Sequence, residues 1–180
     1  DVIDYYSTEP DYGSMADFEA FLDEAHTRGI KVIIDLVLNH TSNQHPWFTQ
    51  SANNSNGFRD WYIWSDTNPG FPGPWGQGVW HGNGGDYYYG LFWSGMPDLN
   101  YEHQAVKDEM FNVANFWLDI GVDGFRLDAI KYLIEDGPIL ENTPSTFSLL
   151  EELLSIPEFQ NYALVGRYGT FSYVWPQSIY

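Results

Sequence analysis

Residues 30 to 40 read Ile30-Lys31-Val32-Ile33-Ile34-Asp35-Leu36-Val37-Leu38-Asn39-His40, and residues 122 to 129 read Val122-Asp123-Gly124-Phe125-Arg126-Leu127-Asp128-Ala129. The first is a nearly continuous apolar, β-branched run, as expected of a strand buried in a parallel sheet. It ends in Asn39 and His40, polar residues that an apolar core does not select. In the second, Arg126 and Asp128 alternate with Phe125 and Leu127, so arginine and acid share one face of the strand. Buried two residues apart, they are close enough to pair, and the guanidinium would hold the carboxylate ionised and oriented. An aimed carboxylate at the C-terminal end of a strand is a candidate nucleophile; the same pair also reads as a structural ion pair.

Outward from these strands the pattern turns helical. Ser14 is a natural N-cap with Asp17 in the first turn, Phe18, Phe21, Leu22 and Ala25 recur at helical spacing, and Gly29 is a stop. A second helix is predicted over 102–120, where Val106, Met110, Val113 and Trp117 step by four, three and four before Gly121. A short helical pattern follows from Phe147 to Leu154, and Tyr162 to Gly166 is a third strand candidate. Residues 41–101 are rich in Asn, Gly, Pro, Trp and Tyr with no sustained period. A loop of about sixty residues is foreign to a compact domain, so this stretch is read as a small irregular subdomain inserted after the first strand. The order helix, strand, insert, helix, strand, helix, strand implies parallel βαβ units. Three strands cannot close a barrel, which needs eight and about 250 residues. Pattern alone therefore leaves an open doubly wound sheet as the alternative.

Composition narrows the function. Hydrophobic residues at 43% exclude a disordered chain, and the 18% of aromatics suit both a core and the C–H faces of sugar rings. Acids number 25 against 7 bases, a net charge of -18 that excludes nucleic acid and anionic membranes as partners and tolerates a neutral substrate or calcium. Without cysteine there is no disulfide, and the redox compartment stays open. No signal peptide and no membrane-spanning run is visible. The chain opens at Asp1 inside a polar loop pattern, which reads as a piece of something longer, so secreted and cytoplasmic locations both stay open.

Taken together, the motifs resemble the α-amylase family of retaining glycoside hydrolases. Asp35-Leu-Val-Leu-Asn-His40 and Gly124-Phe-Arg-Leu-Asp-Ala129 are similar to the first two motif regions of that family. Asp1-Val-Ile-Asp-Tyr-Tyr6 with Pro10-Asp-Tyr-Gly13 resembles the segment leading into the helix before its third barrel strand. His45-Pro-Trp-Phe48 and Arg59-Asp-Trp-Tyr-Ile-Trp64 resemble its inserted second domain, and Met96-Pro-Asp-Leu-Asn100 its short motif near the end of that insert. Order and spacing agree over residues 1–166. The resemblance implies a partial (β/α)8 barrel, strands three to five, divided as 1–40 (helix and third strand), 41–101 (insert), 102–166 (fourth and fifth strands) and 167–180 (a non-native tail).

By the same resemblance Asp128 is the nucleophile, Arg126 orients it, and His40 hydrogen-bonds the sugar beside the scissile bond. Lys131 and Tyr132 border the leaving-group side. Asn39 resembles a position that often binds a structural calcium between barrel and insert; many members have Lys-His where this chain has Lys131-Tyr132, which weakens that calcium site. Asp86 is a candidate calcium ligand from the insert, and Asp35 supports the polar end of its strand. His26 and His103 read as surface residues, His45 and His81 as packing or capping groups. Trp80, Trp93 and Tyr87 to Tyr89 read as packing or as cleft lining. Met-Pro-Asp-Leu-Asn lies between the forms typical of exo-acting 1,6-glucosidases and of neopullulanase-like members. It favours hydrolysis of α-1,4-glucan or maltooligosaccharide, with α-glucosidase, oligo-1,6-glucosidase or transglycosylase as runner-up; a monomeric parent protein is the separate expectation.

One position breaks the pattern. Retaining hydrolysis needs two carboxyl groups about 5 to 5.5 Å apart. The family's acid/base glutamate falls where this chain has Arg167, in Val165-Gly166-Arg167-Tyr168-Gly169. Arginine cannot shuttle a proton. The codons GAG GTA TGG AAC C encode Glu-Val-Trp-Asn; without the first base they read AGG TAT GGA ACC, the Arg-Tyr-Gly-Thr of residues 167 to 170. A frame slip is the expectation, and the chain alone is expected to be inactive. A non-catalytic barrel relative with a binding role is the competing reading.

Overall fold

Ser14 accepts a hydrogen bond from the Asp17 backbone N–H while the Asp17 carboxylate accepts one from the N–H of Ser14. This reciprocal cap satisfies two donors that the first turn would otherwise leave bare, and it starts α1 (Met15–Thr27) where the sequence predicts. The computed structural model describes residues 1–155 and the backbone of two later strands at 163–168 and 171–175. After α1 come β1 (Ile34–Val37), α2 (Pro46–Ala52), β2 (Trp64–Ser65), β3 (Trp80–Asn83) and β4 (Asp86–Tyr89). Then follow α3 (Gln104–Ile120), β5 (Gly124–Asp128), α4 (Pro144–Leu154), β6 (Ala163–Tyr168) and β7 (Phe171–Trp175).

The main sheet has the order β1-β5-β6-β7. Its first three strands are parallel, as the helix–strand alternation requires, and β7 returns antiparallel to β6. That last strand was not anticipated; it falls within the 167–180 read as a tail, whose residues 169–170 and 176–180, like Tyr162, lie outside the described residues. The insert forms an antiparallel sheet of its own, β2-β4-β3, with α2 beside it.

Two expectations change. The apolar run of 30–38 pairs only over Ile34–Val37, and Ile30 and Ile33 stay 54% and 41% exposed, because β1 is an edge of the described sheet. Phe21, at helical spacing with the core residues of α1, is 55% exposed, and Leu22 and Ala25 carry the burial instead.

The alternation along β1 and β5 separates two faces. Leu36, Phe125 and Leu127 are buried with Leu22 of α1, with Met110, Val113 and Trp117 of α3, and with Leu149 and Leu153 of α4. Each such side chain contributes about 1.5–3 kcal/mol by leaving water. The other face carries Asp35, Arg126 and Asp128, with Asp35 opposite Arg126 and Val37 opposite Asp128 in the ladder. Gly121 ends α3 in the left-handed region at φ 116°, a conformation that costs glycine little, and turns the chain into β5.

Tyrosine hydroxyls finish the C-terminal end of β1. Tyr5 Oη donates to the carbonyls of Val37 (2.9 Å) and His40 (3.0 Å), and Tyr101 Oη donates to that of Leu38 (2.6 Å). The indole N–H of Trp117 holds Tyr5 in turn through its carbonyl at 2.7 Å. Carbonyls that a strand end would leave unpaired are thereby satisfied, and the corner carrying Asn39 and His40 is fixed.

Candidate active site

Arg126 Nη1 stands 2.7 Å from Asp128 Oδ1 and 3.0 Å from Asp35 Oδ2. One guanidinium nitrogen thus ties the predicted nucleophile to the neighbouring strand. The expected burial of this pair is not found: the side chains of Arg126 and Asp128 are 46% and 37% exposed. The face they occupy is the one that no described helix covers, so the pair is open to a ligand as well as to water.

His40 is buried. Its Nδ1 lies 3.0 Å from Asn39 Oδ1, and its ring meets Phe92 edge-on at 5.3 Å. Burial chiefly, and to a lesser extent the N-terminal charge, lowers its pKa to about 4, with Asp128 acting in the opposite direction. At neutral pH the imidazole is uncharged, able to donate or accept a hydrogen bond but carrying no proton to spare.

Phe92 is the start of an aromatic wall that sequence reasoning missed. Its ring centroid lies 5.7 Å from that of Tyr132 and 5.8 Å from that of Trp75, and Trp75 is 61% exposed at the outer end. A large indole left in water at the end of a chain of rings leading from His40 is a ready platform for an apolar sugar face. Nothing in the local sequence, Gly73-Pro74-Trp75-Gly76, marks it, because the contact is made across the insert.

Tyr132 itself is not an open surface. It is 5% exposed and packs with Val79, Tyr89 and Leu91 in a second apolar cluster, so its role is to support the wall rather than to border the ligand directly. Lys131 reaches Glu141 at 2.6 Å and lies over the Tyr132 ring at 4.7 Å. The Glu141 hydrogen bond raises its pKa, so it remains a cation.

The residues read as calcium ligands are engaged with protein groups. Asn39 is 1% exposed and its amide is spent on protein: Nδ2 donates to the Tyr132 carbonyl (2.8 Å) and to Asp98 Oδ2 (3.2 Å), while Oδ1 faces His40. Asp86 is held instead by Arg59, which also lies over the Trp64 ring. Among the described residues no group of three or more Asp, Glu, His or Cys side chains is arranged to hold a metal. The insert and the main sheet are joined by direct hydrogen bonds at this point.

Asp98, the acid of Met-Pro-Asp-Leu-Asn, completes that joint. It accepts from the Leu91 N–H at 3.0 Å as well as from Asn39. Burial, and then the nearby Glu135, raises its pKa well above the usual carboxylate range. The remaining histidines fall as read or nearly so. His45 caps α2 and His81 Nε2 donates to the Gly90 carbonyl, while His103 caps α3 and His26 pairs with Asp123 at 2.7 Å. Tyr88 and Tyr89 are buried packing groups, and Trp93 is 55% exposed, its ring lying against Gly95.

A parallel α/β sheet with an arginine-paired carboxylate at a strand end, a neutral histidine beside it and an aromatic wall above is the architecture of a glycoside hydrolase. The chain belongs to the α-amylase family: the family profile described as "Alpha amylase, catalytic domain" matches residues 1–161. Alpha-amylase 3 of Dictyoglomus thermophilum is 49% identical over 137 residues, 76% of this chain and 27% of that protein. The trehalose synthase/amylase TreS of Mycolicibacterium smegmatis is 44% identical over 161 residues, 84% of this chain and 27% of that protein. Among solved structures, the trehalose-6-phosphate hydrolase of Bacillus licheniformis superposes with a TM-score of 0.85 at 36% identity, covering 95% of this chain and 35% of that one. The chain thus spans about a third or less of the length of these relatives. Among the described residues no helix is long and apolar enough to cross a membrane.

Proposed function

We propose that this chain is the nucleophile-bearing segment of a retaining hydrolase of α-1,4-glucans, built on the third to fifth strands of a (β/α)8 barrel. The observation that carries the reading is the 2.7 Å contact from Arg126 to Asp128 on an accessible strand end. The carboxylate attacks the anomeric carbon as the glycosidic C–O bond breaks, giving a covalent glycosyl-enzyme; water then releases the sugar. His40, uncharged and one strand away, hydrogen-bonds a hydroxyl of the same sugar. The aromatic wall from Phe92 to Trp75 lies under the ligand.

The leaving oxygen needs a proton, and Arg167 does not supply it. A frame slip at codon 167 accounts for this and makes the 180-residue chain inactive by itself. Resequencing the gene there, and assaying the isolated chain for reducing sugar from starch, test the two statements separately. For the main reading, full-length protein is treated with 5-fluoro-α-glucosyl fluoride and digested. The anomeric fluoride leaves, and mass spectrometry finds the added 5-fluorohexosyl mass on the peptide containing Asp128; a label elsewhere, or none, refutes it.

Transglycosylation is the second reading, favoured by the 44% identity to a trehalose synthase/amylase over 84% of the chain. Product analysis with maltose as sole substrate separates them: glucose alone supports hydrolysis, and a rearranged disaccharide supports transfer.

A further inference from the structure

We propose, resting on the α-glucan reading above, that Glu141 is a specificity-determining residue: held against Lys131, it receives the hydroxyls of a second sugar, next to the one that Asp128 attacks. From His40 the contacts run to the Phe92 ring at 5.3 Å, from Phe92 to Tyr132 at 5.7 Å, and from Tyr132 to the Lys131 ammonium at 4.7 Å. The Lys131–Glu141 pair thus stands two rings away from His40. It lies alongside the Tyr132 ring that meets the exposed Trp75 at 5.8 Å.

The backbone fixes both partners. Ala129 takes φ 54°, a left-handed conformation that side chains with a Cβ rarely adopt, and turns the chain out of β5 directly after Asp128. Ile130–Tyr132 follow as a single 3₁₀ turn that carries Lys131. Glu141 returns from the other end of the same loop. The Asn142 N–H donates to the Lys131 carbonyl at 2.7 Å. The buried hydroxyls of Thr143 and Thr146 both donate to the Ile134 carbonyl, at 2.6 and 3.0 Å. With the loop closed in this way, Glu141 Oε2 meets Lys131 Nζ at 2.6 Å. A surface pair held by two long side chains alone is easily lost to water; here the main chain keeps the partners in register.

The groups left over match a sugar. Glu141 Oε2 takes one N–H of the ammonium, and the Tyr132 hydroxyl faces another. One donor remains, and among the described residues Glu141 Oε1 has no partner. The side chains of Lys131 and Glu141 are 30% and 41% exposed, open to a ligand yet not free to wander. Neighbouring hydroxyls on a pyranose accept from the ammonium and donate to the carboxylate at once, which a simple ion does not do. The two charges of the pair cancel, so neither an anion nor a cation gains by entering. Trp75 supplies an apolar face for the C–H groups of the same ring.

The test compares kcat/KM of full-length protein on two substrates. Maltotriose brings a second sugar, whereas α-glucosyl fluoride carries one sugar and a fluoride leaving group. Glu141→Ala and Lys131→Met are each expected to lower the ratio of the two values, maltotriose over fluoride, by about tenfold. Glu141→Gln keeps an acceptor in the same place and is expected to recover most of that loss. Fluoride release by each variant reports that its site is folded. A ratio unchanged by both Glu141→Ala and Lys131→Met overturns the proposal, whether the two substrates fall together, as for a merely structural pair, or neither falls. Turnover of neither substrate by the unaltered protein overturns the α-glucan reading itself, and this proposal with it.

Discussion

Asn39 Nδ2 donates to the backbone carbonyl of Tyr132 across 2.8 Å, joining the end of β1 directly to the segment that follows β5. The bond is buried, and the same nitrogen also serves Asp98. Replacement by alanine strands a carbonyl and weakens the support of a buried carboxylate. Asn39→Ala is expected to destabilise the protein by about 1–3 kcal/mol, read as a lower urea midpoint. Added calcium is expected to leave the midpoint of the unaltered protein where it is; a calcium-dependent rise would show that the ion binds.

Arg126 contacts two acids, and the two contacts predict different consequences. Loss of the guanidinium in Arg126→Gln frees Asp128 to swing and removes a donor at the reacting group, so kcat/KM of the full-length protein on maltooligosaccharides is expected to fall by about 10²-fold or more. Asp35 is 59% exposed, and its pairing with arginine is screened by water. Asp35→Asn is expected to cost less than about tenfold. Equal losses from the two substitutions would show that the triad acts as one structural unit rather than as an oriented nucleophile.

The alternation at Arg126 and Asp128 was legible because a strand's two-residue period is written in the sequence, and the steps of Val106, Met110, Val113 and Trp117 gave α3 for the same reason. What a strand's period does not reveal is which face the remaining elements cover, and so the pair reads as buried when it is accessible. The insert resisted for another reason: β2, β3 and β4 run for only 2, 4 and 4 residues, too short for a period, and are held by turns and by rings such as Phe48, Tyr62 and Tyr88 that pack across them. Trp75 and Phe92, far apart in the chain, meet only once that packing exists. An asparagine beside a strand end serves equally as a ligand or as a hydrogen-bond bridge, and the sequence does not show that Tyr132 and Asp98 lie within reach of its amide.

His40 and His45 both have pKa values lowered to about 4, primarily by burial, against an ordinary value of 6.5. Between these limits the unfolded chain binds more protons than the folded one. The stability tied to the neutral imidazoles is therefore complete above about pH 6.5 and is lost as the pH falls through about 4. Urea midpoints measured from pH 7 to pH 4 are expected to decline, and the decline is expected to be shallower in His40→Gln. An identical slope in that variant would remove His40 from the account.

Trp75 separates binding from folding. With 61% of its surface in water, it contributes little to the core, and Trp75→Ala is expected to change the thermal midpoint by no more than about what 0.5 kcal/mol gives. If its indole carries a sugar ring at the end of the wall that begins at Phe92, the same substitution removes about 1 kcal/mol or more of ligand affinity. That appears as a rise in KM of roughly fivefold to tenfold. Because its ring contacts are Phe92 and Tyr132, kcat of the full-length protein is expected to stay within about twofold. Steady-state kinetics on maltose and on longer maltooligosaccharides check this. A KM effect that grows with chain length places Trp75 under an outer sugar, a uniform effect places it under the sugar being cleaved, and an unchanged KM removes the indole from the binding surface altogether.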